Sequence, residues 1–216
     1  MKIKYIGHSC FLLASDTGTL ILTDPYKSGS YGGALMYGPI VDAADIAVIS
    51  HDHEDHSDVL SLPNRPLMVR TDAVVRGIDF DVVDTYHDEE QGAKRGKNRV
   101  TSFVLDEIRI CHLGDLGHVL TPEQVEKIGN IDILLIPVGG NFTIGPAEAT
   151  QIVNALHPRI VIPMHFKTEK CAFPIEPVDR FLEGKTPVKR STVSEVTIQK
   201  GDLPEACTYL YLPPAN

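Results

Sequence analysis

Tryptophan is absent from this 216-residue sequence, aromatic residues make up only 6 %, and the cysteines number only four. No two cysteines form a CxxC pair, and three of them lie in apolar, strand-like runs where a free thiol behaves as a small hydrophobe. A disulfide framework is therefore disfavoured, and a reduced, cytoplasmic protein is expected. An excess of basic charge is also missing: 20 Lys and Arg face 29 Asp and Glu, a formal charge of −9. No basic face is implied, so nucleic acid is not an expected partner. No apolar run approaches membrane-spanning length, and Met1 to His8 carries no hydrophobic stretch of signal-peptide type. No membrane partner is expected. What remains is an ordinary soluble composition, 43 % apolar and 23 % charged, of a length that fits one domain over 1–216.

Against these absences stands one dense feature, His51-Asp52-His53-Glu54-Asp55-His56. The apolar run Asp45 to Ser50 before it reads as a buried strand, and Ser57 to Leu62 after it as the first turns of a helix halted by Pro63. If the strand's period of two persists, His51 and His53 point the same way, while the adjacent Asp55 and His56 diverge. That spacing suits two metal ions side by side, since imidazole and carboxylate are the usual ligands of catalytic zinc.

Other donors fall at strand ends along the chain. His87 follows a strand and is the candidate to complete the first pair; His165, after a strand and Pro163-Met164, is the candidate for the second. Asp115, flanked by Gly114 and Gly117 at the end of an apolar strand, could bridge both ions, because glycines allow an unusual turn and a close approach. His118 is read as a proton shuttle or substrate contact, with a plain loop histidine as the alternative. His112 lies on the opposite face of its strand and is read as structural, and His157 as a helix cap. Asp24, before Pro25, either orients a metal-bound imidazole or merely starts a turn. Lys94, Arg95, Lys97 and Lys167 lie near ligand-bearing segments and could meet an anionic substrate group.

Strand signals occupy Lys2 to Ile6, Cys10 to Ala14 and Thr19 to Thr23, with a hairpin turn at Asp16-Thr17-Gly18, and the Gly-rich stretch Ser28 to Gly38 reads as a mobile loop. Further strands are predicted at Leu67 to Arg70, Phe80 to Val83, Val100 to Leu105, Ile108 to Leu113, Ile131 to Pro137, Ile160 to Ile162, Val193 to Gln199 and Cys207 to Leu212. A capping box at Thr121 to Gln124 starts one helix, ending at Gly129, and Pro146 starts another, through Leu156. Two runs of strands, each leading into helices, predict two packed sheets with helices outside.

The motif His51-x-His53-x-Asp55-His56, followed by His87, Gly114-Asp115 and His165, resembles the metallo-β-lactamase superfamily over nearly the whole chain. Gly7-His8-Ser9-Cys10-Phe11, Thr23-Asp24-Pro25, His112 to His118 and Pro137-Val138-Gly139-Gly140 are similar to a narrower branch of small metal-dependent hydrolases, related to the ascorbate-6-phosphate lactonase type. The resemblance implies a mixed α/β fold, a four-layer αββα sandwich with a dinuclear site. In it His51, His53 and His87 would bind one ion, Asp55, His56 and His165 the other, and Asp115 would bridge them; His87 lacks the family's usual Gly-His-Thr setting. The implied cofactors are two divalent ions, zinc first, with iron, manganese or nickel also compatible. The implied activity is hydrolysis of a small-molecule ester, lactone, amide or phosphodiester by a hydroxide bridged between the ions, with Asp55 orienting it or taking its proton. The alternatives are a non-catalytic metal-binding protein of the same fold and an iron-dependent oxidoreductase. Flavodiiron proteins carry Glu where this chain has His53, and need a flavodoxin domain for which there is no room. A homo-oligomer is left open.

Overall fold

The computed structural model describes residues 1–216. Alternating and apolar runs at the start of the chain form Lys2–Gly7 (β1), Cys10–Ala14 (β2) and Leu20–Thr23 (β3), an antiparallel meander. Its hairpin registers Leu12 opposite Leu22 and Ala14 opposite Leu20, closing at the predicted turn. Ile46–Val48 (β4) and Leu67–Val69 (β5) then add in parallel to β3.

In the second sheet, Ala73–Val75 (β6), Ile78–Tyr86 (β7), Lys97–Leu105 (β8) and Ile108–His112 (β9) pair antiparallel. Ile133–Pro137 (β10), Ile160–Met164 (β11), Val188–Arg190 (β12) and Thr208–Tyr211 (β14) make up its parallel half, while Glu195–Thr197 (β13) returns to pair with β1 in the first sheet. The sheet orders are β13-β1-β2-β3-β4-β5 and β12-β14-β11-β10-β9-β8-β7-β6. The larger of two apolar clusters, with 44 buried residues, takes Tyr5, Phe11 and Ile21 from one sheet and Phe103, Ile110 and Leu134 from the other. β10 and β11 are buried at every position, as parallel strands covered on both faces must be. The two mixed sheets with flanking helices are the α/β sandwich expected.

Pro122–Ile128 (α2) begins with the predicted capping box of Thr121 and Gln124, and Pro146–Leu156 (α3) matches the predicted bounds. α3 turns Ala149, Ile152, Val153 and Leu156 into the core, and His157 ends it in the left-handed region, the expected cap. The helix expected after the histidine cluster is only a 3₁₀ turn, Val59–Ser61. Its residues are not buried, so no apolar face stabilises a longer helix. β6, β12 and Val178–Leu182 (α4) were not foreseen, each being too short to show a period. The Gly-rich loop is tied down rather than loose: it contains one turn, Ser30–Gly33 (α1), its Leu35 bridges to Cys171, and buried Tyr37 bonds the Thr168 hydroxyl at 2.8 Å. No helix is long and apolar enough to cross a membrane.

Because β3 and β4 run parallel, and β7, β9 and β11 also share one direction, their C-terminal ends emerge at common edges. Asp24 follows β3, His51 lies just beyond β4, His87 follows β7, Asp115 lies just beyond β9 and His165 follows β11. His8 sits in the corner between β1 and β2. The sandwich thereby collects donors far apart in sequence.

Candidate metal centre

The structure brings together all seven residues expected as ligands. His51, His53 and His87 form one group and His8, Asp55, His56 and His165 a second, with the donor atoms of each group within 4.8 Å of one another. Asp115 lies between them: its Oδ2 is 3.1 Å from His56 Nε2, 3.3 Å from both His87 Nε2 and His165 Nε2, and 4.0 Å from His51 Nε2. One expectation is corrected. Asp55 and His56 do not diverge, because the turn closed by His56 N–H donating to His53 O (3.0 Å) folds both inward, leaving Asp55 Oδ2 3.6 Å from His56 Nε2.

These donors fit a metal by their unsatisfied valence. His56 Nε2 is buried with no hydrogen-bond partner although Asp115 Oδ2 is 3.1 Å away, and Asp115 Oδ1 is likewise unpartnered. Buried polar atoms are rarely left so, and a divalent cation would use both. Burial pushes His51 down to about 3 and His87 down to about 4, keeping their imidazoles neutral, the form that ligates. Burial opposes charge on His56, but Asp115 and Asp55 raise its pKa in the metal-free chain. Burial likewise opposes the charge of Asp115, yet His165 and His56 hold it well below the usual carboxylate range.

Asp24 does orient imidazoles. It is fully buried, and its Oδ2 accepts from His56 Nδ1 (3.0 Å) and from the Ser50 hydroxyl (2.6 Å), while Oδ1 accepts from Ser50 N–H (2.8 Å). With its proton given to Asp24, Ser50 Oγ accepts from His51 Nδ1 at 2.9 Å. One carboxylate thus fixes two tautomers and turns both Nε2 atoms toward the cluster. His112 is structural as expected: its Nε2 donates to Ser9 O (3.1 Å) and its Nδ1 accepts from Gly114 N–H (3.3 Å).

Asp55 is held from two sides that sequence reading missed. His8 Nε2 donates to Oδ2 (3.0 Å) and the Tyr31 hydroxyl to Oδ1 (3.1 Å). His8 is itself fixed: its carbonyl accepts from Tyr5 Oη and from His165 N–H, each at 2.8 Å. The Gly7-His8 motif hinted at this placement; Tyr31, inside a Gly-rich loop, gave no signal.

The glycines around Asp115 are steric requirements. Gly114 is left-handed (φ 55°), and a Cβ there would lie 2.4 Å from both Asn98 Oδ1 and Ser50 Cβ. A Cβ on Gly117 would lie 2.2 Å from Asp88 N and 2.3 Å from His87 C, so backbone would have to move. Gly117→Ala is expected to cost about 2 kcal/mol by overpacking, lowering Tm by roughly 4–8 °C for a chain of this size. Thermal denaturation checks this, and an unchanged Tm would show that the His87 loop yields freely.

His118 is not brought into the site. Tyr86 N–H donates to its Nε2 (3.2 Å) and its Nδ1 donates to Val119 O (2.8 Å), so both nitrogens serve the backbone. A cavity of about 280 Å³ opens over the cluster, lined by Tyr31, Arg95, Phe142 and Phe173 as well as by five candidate ligands. Of the four cations considered, only Arg95 lines it; Lys94 pairs with Glu90 (2.6 Å), Lys167 donates to Phe173 O (2.8 Å), and Lys97 stays outside.

Comparison with known proteins bears on the family of the chain. A family model described as the β-lactamase superfamily domain matches residues 2–165. A UPF0173 protein of Pyrococcus furiosus is 30 % identical over 202 residues, covering 82 % of this chain and 88 % of its own. A UPF0173 metal-dependent hydrolase of Nitratidesulfovibrio vulgaris is 32 % identical over 197 residues, covering 77 % and 80 %. Among solved structures, a metallo-β-lactamase superfamily protein from Thermotoga maritima superposes with a TM-score of 0.77 at 34 % identity, covering 98 % of this chain and 100 % of that one.

Proposed function

The chain belongs to the β-lactamase superfamily, and from that premise we propose that it is a metal-dependent hydrolase cleaving an ester, lactone, amide or phosphodiester bond of a small molecule. The observation that carries this reading is the convergence of two donor groups on Asp115 beneath an open cavity. His51, His53 and His87 would hold one divalent ion, Asp55, His56 and His165 the other, with Asp115 between them; the mixed nitrogen and oxygen donors favour zinc. Ions bound there supply Lewis acidity toward a substrate oxygen and a water acidic enough to ionise near neutral pH.

The chain's own residues do the rest. Asp24, directly and through Ser50, keeps His56 and His51 presenting Nε2. Burial opposes charge on Asp55, but His56 and His8 keep it ionised, which suits it to orient a bound water as a hydrogen-bond acceptor, and the Tyr31 hydroxyl holds it in place by donating to Oδ1. Burial and the Asp55 charge push the Tyr31 phenol above its ordinary value, so it stays a donor throughout the physiological range. His118 has no part in this reading. All four cysteines are free, which supports a reducing, cytoplasmic setting, and the shared 44-residue core supports one domain over 1–216.

Metal analysis joined to a hydrolysis screen tests the proposal. The purified protein should hold close to two divalent ions per chain, and at least one lactone, phosphodiester or thioester in a panel should turn over. Turnover should vanish on chelation and return with added zinc, manganese or iron. Full activity in a metal-free preparation would sink the reading, and metal without turnover of any panel member would favour a metal-binding protein.

A further inference from the structure

Arg95 is the only Lys or Arg among the nine residues that line the cavity over the histidines. Its guanidinium lies 5.5 Å from the centroid of the Phe142 ring, and one nitrogen, Nη2, donates to Asn141 O at 3.1 Å. Those contacts hold the group in place without neutralising it, and its remaining N–H groups have no partner in the protein. The chain leading to it is also fixed. The buried Asp88 carboxylate accepts the N–H groups of Glu90 and Gly92 at Oδ1 (2.8 Å each), and those of Lys94 (2.9 Å) and Arg95 (2.7 Å) at Oδ2. Beside Arg95 stands an aromatic wall: Phe142 meets Phe173 edge-on at 5.6 Å, and Phe173 meets Tyr31 at 5.4 Å.

A preorganised, unpaired guanidinium in a partly apolar cavity binds oxyanions well, because little side-chain freedom is lost and the fork matches two oxygens. Resting on the hydrolase reading above, we propose that Arg95 is the specificity-determining residue for a substrate with an oxyanion at one end and an apolar or aromatic body. The body lies along Tyr31, Phe173 and Phe142, and the scissile group reaches the histidines. The nearby Lys94 cannot replace Arg95, since it is committed to Glu90.

Calorimetric titration of benzenesulfonate and of methyl phenyl sulfone, a neutral molecule of similar shape, into the metal-loaded protein tests this. Sulfonate is a weak metal ligand, so its binding reports on the guanidinium. The sulfonate should bind at least about tenfold more tightly than the sulfone, the value of a charge-assisted contact. Arg95→Gln should erase that ratio, and Arg95→Lys should retain part of it, keeping the charge but not the fork. A ratio unchanged in Arg95→Gln, or a folded wild-type protein without preference for the sulfonate, overturns the proposal. No turnover is needed for this measurement, so its failure is separable from failure of the hydrolase reading. With any substrate found in the screen, Arg95→Gln should raise KM about tenfold for an anionic ester while changing kcat far less, as loss of uniform binding does.

Discussion

Asp115→Asn is expected to lower metal-dependent turnover by about 10³-fold, since Lewis-acid stabilisation is worth several kcal/mol, and to leave the protein with less than its full complement of ions. The change keeps volume and planarity, so packing is disturbed little. What it removes is the negative charge at Oδ2, the one atom within 3.3 Å of Nε2 on His56, His87 and His165 together. An amide placed there either turns an N–H₂ donor toward the imidazole lone pairs or presents a neutral oxygen, and neither can balance two cations. Asp115 N–H bonds Asn98 Oδ1 at 2.9 Å through the backbone, so the loop itself should hold its shape. Elemental analysis beside turnover decides the matter. Two ions per chain together with undiminished activity in Asp115→Asn would remove Asp115 from the centre of the site.

Removing the metal should destabilise the whole fold. A ligand present at about a thousand times its dissociation constant stabilises the native state by about 4 kcal/mol, so chelation should lower Tm by roughly 8–16 °C in a chain of this length. The reason is local: Asp55 and Asp115 are buried among imidazoles, and His56 Nε2 and Asp115 Oδ1 are buried there without a hydrogen-bond partner. The chelated protein should also lose stability as pH falls from about 6.5 toward 4, the range between unfolded and folded histidine pKa values. Burial depresses His8 to about 4, His51 to about 3 and His87 to about 4, so the unfolded chain takes up these protons first and is favoured. His56 is shifted upward, so its contribution is already complete below 6.5 and is constant across that window. The buried carboxylates are lowered below 3.8 in the folded chain, so they add a smaller loss in the same direction at the acid end of that window, where unfolded carboxylates begin to take up protons. Calorimetric melts at pH 7.5, 6 and 4.5, with and without chelator, check both statements. A Tm indifferent to chelator would show that no ion contributes to the native state.

Much of the fold is legible in the strands and helices because their patterns are local. The hairpin at Asp16 to Gly18, the capping box at Thr121 and the helix Pro146–Leu156 each need only a short window to be read. β6, β12 and α4 escape such a window because three to five residues cannot display a period, and the surrounding sheet or core completes them. The histidine cluster was legible for the same reason as the hairpin, as a dense local run. Its geometry was not, since Asp55 and His56 were expected to part and a turn brings them together.

The seven proposed ligands, their order and their strand-end positions were determined by the sequence itself, as was the presence of glycines on both sides of Asp115. Tertiary structure alone decided what holds and surrounds them. His8 reaches Asp55 across 47 residues, and Asp24 reaches His56 across 32. Tyr31 comes to Asp55 from a loop with no recognisable pattern, Arg95 is distinguished from Lys94 and Lys167 by its place in the cavity beside Asn141 and Phe142, far along the chain, and His118 is turned away by two backbone bonds. The physical reason is the same in each case. Donor chemistry belongs to a side chain and is written at its position, whereas proximity depends on sheet register and turn handedness summed over the whole sandwich.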